Sequence, residues 1–129
     1  MTDARFVGDW SLTDDPKGRI DSNGNPVMIV DSDFSFIDSR NVRWDAHKGT
    51  PVGGAHIPGF LKWVVGGAYQ QPYLPAAVLH DIYCTNKSRT WGDTDRMFRE
   101  AMVTNGTNAV RARAMWLSVY FYHLFGHSW

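Results

Sequence analysis

Turn-forming residues interrupt the first 45 positions so often that only short strands fit between them. The segment "RFVGDWSL" (5–12) runs into "DDPKG" (14–18). "RIDSNGNPVMIV" (19–30) then carries an Asn-Gly pair, the strongest short-range hairpin signal. "DSDFSFIDS" places apolar residues at Phe34, Phe36 and Ile37, and "NVRW" offers a further strand. This punctuation predicts a small antiparallel sheet or meander over residues 5–45. Residues 46–59, "AHKGTPVGGAHIPG", read as a glycine- and proline-rich loop.

Past residue 57 the pattern becomes helical. "FLKWVV" (60–65) suggests a short helix stopped by Gly66 and Gly67. "LPAAVLHDIYC" (74–84) is a stronger one, because Pro75 falls in a first turn where its missing N–H is no loss. "TNKSRT" turns the chain. "WGDTDRMFREAMVTNG" (91–106) has early acids, a late glycine and apolar residues at Met97, Phe98, Ala101 and Met102. Asn108 or Thr107 caps a last helix reaching about Phe125. Strands followed by helices make an α+β chain, and 129 residues suit one domain: a strand-rich part with its loop over 1–56, a helical part over 57–129.

Charge and cysteine usage narrow the function classes. Thirteen basic and thirteen acidic residues cancel, which argues against the broad positive face of a nucleic-acid-binding protein. Cys84 is the only cysteine, so no intrachain disulfide forms. The start "MTDARFVGDW" does not read as a signal peptide. The longest apolar run, "AMWLSVYFYHLF" (114–125), falls short of the roughly 20 residues of a spanning helix. The expectation is a soluble protein, cytoplasmic in a bacterial host or phage-associated. The last helix is apolar nearly all round from Met115 to Phe125, which predicts core packing, with a contact to a second subunit or to lipid as the alternative.

Chemistry concentrates in "AAVLHDIYC", where His80 and Asp81 interrupt an apolar run. His80 lies near the end of one helix and Asp95 near the start of the next, each roughly 6 Å along its axis from the turn. Antiparallel packing sets them at one level, on axes about 8–10 Å apart, where an imidazole and a carboxylate can hydrogen-bond. Such a pair makes a general base: the carboxylate orients the ring and stabilises the imidazolium, while the other ring nitrogen takes a proton. Asp81 points about 100° away round the helix and is available for a cation. The competing reading is a structural histidine at a helix C-terminus, with Asp81 facing solvent.

Two resemblances bear on these residues. "AAVLHDIY" followed by "DTDRMFREAM" resembles the paired-helix signature of phospholipases A2. That resemblance implies His80 as the base activating water, Asp95 as its orienting partner, and Asp81 as a calcium ligand. Backbone carbonyls near Gly53 and Gly54 in "VGGAHIPG" complete the implied calcium site. Tyr83 stands three residues after His80, whereas that family places a tyrosine four after, where this chain has Cys84. The whole layout, from the strand-rich half through Gly54–Pro58, Ala76–Asp81 and Asp95–Met102 to the aromatic last helix, resembles DUF1353, small proteins of unknown function frequent in phages and prophages. His56 and Tyr83 are possible accessory residues. His123 and His127 have the i, i+4 spacing of a zinc pair, but no HExxH glutamate accompanies them.

The expected function is a hydrolase with phospholipase A2-like water activation, calcium-assisted, on a phospholipid or other ester. The alternative is a non-enzymatic accessory protein that engages a protein partner or self-associates and uses His80 and Asp81 structurally.

Overall fold

The computed structural model describes residues 3–20, 24, 26–52 and 73–129, and of His127 the backbone alone. Among the described residues six strands precede three helices, an α+β fold. The strands are β1 (Arg5–Val7), β2 (Leu12–Asp14), β3 (Met28–Val30), β4 (Phe34–Ile37), β5 (Arg43–Ala46) and β6 (Pro51–Val52). The helices are α1 (Leu74–Asn86), α2 (Trp91–Thr104) and α3 (Ala109–Tyr122), with a π-helical turn over His123–His127. No helix among the described residues is long and apolar enough to cross a membrane.

The strands form two antiparallel sheets, ordered β1-β4-β5 and β2-β3-β6, rather than one meander. The cause is a bend in a single long ribbon. Arg5 pairs with Ile37 and Asp14 with Met28 in one continuous register, so β1–β2 and β3–β4 are two halves of the same hairpin. The ribbon breaks at Gly8, whose φ of 85° suits glycine, and a Cβ there would lie 2.8 Å from the Asp33 carbonyl. Ser32 Oγ donates to the Asp9 carbonyl at 2.7 Å, and the Asp31 N–H donates to the Ser11 carbonyl at 3.0 Å, tying the two bends together. Toward the tip, Ile20 and Pro26 bridge across Gly24, where the Asn-Gly signal predicts the turn. β6 falls inside the stretch expected to be loop. It pairs with β3, and Pro51 is tolerated there because β6 ends its sheet.

The β1-β4-β5 sheet carries the helices. Phe34 and Phe36 on β4 face Ala46 and Trp44 on β5, and all four are buried. Tyr83 of α1 meets the Trp44 ring edge-on at 4.9 Å, and its hydroxyl accepts the Asp45 N–H at 2.9 Å. The Arg89 guanidinium lies 4.1 Å over Trp44. Asp38 organises the β4–β5 turn: its carboxylate accepts from the N–H groups of Arg40 and Val42, each at 2.9 Å, and from Trp44 Nε1 at 3.1 Å. Asn41 takes the left-handed conformation that the turn needs and that asparagine tolerates.

Local chemistry sets the helix ends. Pro75 sits in the first turn of α1, and Lys87 closes it in a left-handed conformation. Thr90 caps α2 by accepting the Asp93 N–H, and Asn108 caps α3 by accepting from Val110 and Arg111. α1 packs on α2, and α2 on α3. The expected core packing of α3 holds for one stripe only. Ala112, Met115 and Val119 are buried at helical spacing, whereas Phe121, Leu124 and Phe125 are exposed, because α3 has α2 on one side and no described element on the other. The short helix read in "FLKWVV" lies outside the described residues.

Replacing Asp38 by alanine removes three acceptor contacts at once, one of them to a buried indole. We expect a loss of about 2–4 kcal/mol in unfolding free energy, read from urea denaturation. Asp38→Asn, which keeps one oxygen, should lose less.

Candidate functional site

Each helix contributes one side chain to a buried cluster. α1 buries Ala76, Leu79, His80 and Tyr83 along one face, which brings the imidazole inward. α2 buries Asp95, Phe98 and Met102 at i, i+3, i+7 spacing, so the carboxylate shares the apolar face. On α3 the stripe of Ala112, Met115 and Val119 continues four residues on to His123, the first residue of the π-helical turn.

The three side chains meet as His–Asp–His. His80 Nε2 lies 2.7 Å from Asp95 Oδ1, and His123 Nδ1 lies 2.7 Å from Asp95 Oδ2. Asp95 is fully buried, and the His80 and His123 side chains keep only 3% and 6% of their exposure. Burial works against ionisation of Asp95, but the hydrogen bonds from His123 and His80, together with their charge, outweigh it and hold the carboxyl below its usual range. No lysine or arginine pairs with Asp95 among the described residues.

An ionised carboxylate only accepts hydrogen bonds, so both facing ring nitrogens carry the proton. In neutral imidazoles that leaves the lone pairs on His80 Nδ1 and His123 Nε2. Cys84 Sγ lies beside the His80 ring, 3.6 Å from Nδ1 and 3.7 Å from Nε2, and so is off the in-plane direction of the Nδ1 lone pair. Burial pushes the Cys84 thiol strongly upward, with the charges of Asp95 and Asp81 adding to it, so Cys84 stays a thiol. His123 Nε2 is on the more exposed of the two rings. Aromatic rings surround His123: Trp129 edge-on at 4.9 Å, Tyr122 at 5.6 Å and Trp91 at 6.0 Å. Trp129 is itself held by a 2.8 Å hydrogen bond from its Nε1 to the Arg89 carbonyl. Phe98 lies against His80 at 4.6 Å.

The structure thus brings together His80 and Asp95, as the helical hairpin predicts. Asp81 is buried too and has an interaction partner, but it is not one of the three groups whose ligand atoms converge. Tyr83 points to the sheet, with its hydroxyl on Asp45, and not to the cluster. Gly53, Gly54 and His56 lie outside the described residues, as does the His127 side chain. His123 pairs with Asp95 at a separation of 28 residues, not with a neighbour on its own helix. The signal that could have found it is the buried stripe of α3, read one turn further.

The Asp95 carboxyl is held below its unfolded value, so its contribution is present above the ordinary carboxylate pKa of about 4 and is lost as pH falls through the depressed folded value. We expect the melting temperature of the wild type to exceed that of Asp95→Asn near neutral pH, and the gap to shrink below about pH 4. Parallel thermal melts across pH measure it.

A family described as "Protein of unknown function (DUF1353)" matches residues 28–119, a span covering β3 through most of α3. The uncharacterized protein y4jT of Sinorhizobium fredii is 40% identical over 120 residues, 92% of this chain and 35% of that protein. The uncharacterized protein y4iH of the same organism is 34% identical over 124 residues, 96% of this chain and 48% of that protein. The chain therefore spans less than half the length of these curated relatives. No solved structure gives a significant match. Its match over most of the described fold, including the helices that carry His80 and Asp95, places the chain in the DUF1353 family.

Proposed function

We propose that this protein is a hydrolase that activates water by general-base catalysis at the His80–Asp95–His123 cluster. The observation that carries the reading is a fully buried carboxylate accepting from one imidazole on each side, which leaves His123 Nε2 as an oriented base. In this reading His123 Nε2 takes a proton from water as its oxygen attacks an ester carbonyl, and Asp95 stabilises the imidazolium. The imidazolium then returns the proton to the departing alkoxide as the carbon–oxygen bond breaks. The base is assigned to His123 rather than to the His80 of the phospholipase A2 resemblance, because His123 is the more exposed of the two rings. A carboxylic ester, with phospholipid as the first candidate, is the substrate class. A calcium ion on Asp81 and the loop carbonyls near Gly53 and Gly54 is the proposed electrophile, an oxygen-ligand role suited to that ion.

One observation favours the rival, a structural hub. The three side chains are almost entirely buried among Phe98, Trp91 and Trp129, as a satisfied polar network in a core would be.

The test is fatty-acid release from mixed phospholipid vesicles and from a panel of soluble esters, with calcium and with a chelator. His123→Gln should lower turnover by about 100-fold or more while the protein stays folded by circular dichroism. No release from folded wild type across the panel would overturn the hydrolase reading in favour of the hub.

A further inference from the structure

We infer that His80, Asp95 and His123 form a binding site for one divalent cation of the zinc class. One ligand atom from each residue falls within 4.8 Å of the others, before any ion draws them in. Zinc bonds of about 2.0–2.1 Å to nitrogen and oxygen set ligand atoms roughly 3.3 Å apart in a tetrahedron. His80 Nε2 and His123 Nδ1 lie 2.7 Å from the two carboxylate oxygens, so an ion widens those contacts to about 3.3 Å while it draws the two rings together.

The donor set selects the metal. Two imidazole nitrogens and one carboxylate oxygen suit zinc, iron or cobalt, whereas calcium and magnesium take oxygen ligands. Three protein ligands leave a fourth position for water, the pattern of catalytic rather than closed structural zinc sites. The charge fits as well. Asp95 is a buried carboxylate paired only with the two imidazoles and with no lysine or arginine among the described residues, a setting in which a dication is electrostatically favoured.

The surroundings supply an outer shell. Cys84 Sγ lies beside the His80 ring, 3.6 Å from Nδ1 and 3.7 Å from Nε2. Trp91, Tyr122 and Trp129 around His123 limit water access. The ligands come from three different helices, so their approach is set by the packing of α1, α2 and the end of α3.

Binding also moves protons. An ion on His80 Nε2 and His123 Nδ1 displaces the ring protons to His80 Nδ1 and His123 Nε2. The lone pair that the general-base reading uses on His123 Nε2 is then gone. The metal-loaded and metal-free forms are exclusive states of one site, and the inference stands whether or not the metal-free form hydrolyses esters.

The experiment titrates metal-free full-length protein with zinc against a chromophoric chelator, and with cobalt(II) while the visible spectrum is recorded, no substrate being present. We expect one equivalent bound, with the intense d–d bands of low-coordinate cobalt. His123→Gln and Asp95→Asn, each verified as folded by circular dichroism, should bind at least 100-fold more weakly. Absence of stoichiometric binding by folded wild type, or binding unchanged in both ligand variants, overturns the inference. Because no activity is read, failure of the hydrolase proposal in the ester assay leaves this result unaffected.

Discussion

The Asp95 carboxylate holds the helical half of this protein together. Among the described residues it is the ionised group placed where α1, α2 and the end of α3 converge, and it is wholly without solvent. A buried carboxylate is tolerable only if both oxygens are satisfied by donors, and here each oxygen takes one imidazole. Those donors must come from the two neighbouring helices, so the rotation of each helix about its axis is coupled to the others. Apolar packing alone would let Met97, Met102 and Met115 slide with little penalty, because methionine adapts to many shapes. The carboxylate removes that freedom.

The strand-rich half solves a different problem. A long two-stranded ribbon cannot bury both faces by itself, so the chain bends it at Gly8 and adds a third strand to each half. The β1-β4-β5 half then offers Trp44 to α1. Tyr83 and Arg89 both engage that ring, and Arg89 also holds Trp129 through its carbonyl. Trp129 in turn lies against His123. A contiguous path of contacts therefore runs from the sheet, through residues flanking α1, to the ring that carries the candidate base.

Burial and chemistry are in balance at the cluster. The same exclusion of water that makes His–Asp–His a stable core network strengthens every electrostatic interaction within it, whether to a proton or to a metal ion. The placement of His123 at the start of a π-helical turn, beside the left-handed Gly126, sets its ring at the point where regular helix gives way. This chain spans 35% and 48% of the lengths of its two curated relatives.

Much of the architecture is local and was therefore legible in the residues. Asn-Gly at the ribbon tip, Pro75 in a first turn, and Asn108 as a cap act over a few positions through backbone chemistry. The level of His80 with Asp95 follows from helix rise and a short turn, so that contact could be anticipated by counting. The two sheets were not legible, since Gly8 bends the ribbon through its approach to Asp33, 25 positions away in a register that only pairing creates. β6 was hidden because two residues with a proline have no strand signal until β3 offers an edge. His123 was seen only in relation to His127, its neighbour by spacing. Its place on Asp95 depends on how α3 crosses α2, a choice made by ridge-and-groove packing across a separation of 28 residues. The sequence by itself determined the three described helices and their caps and turns, because those preferences are local. Which side chains complete the buried carboxylate was decided only when three helices packed, because hydrogen bonds act at under 3 Å and nothing local to any one helix sets that distance.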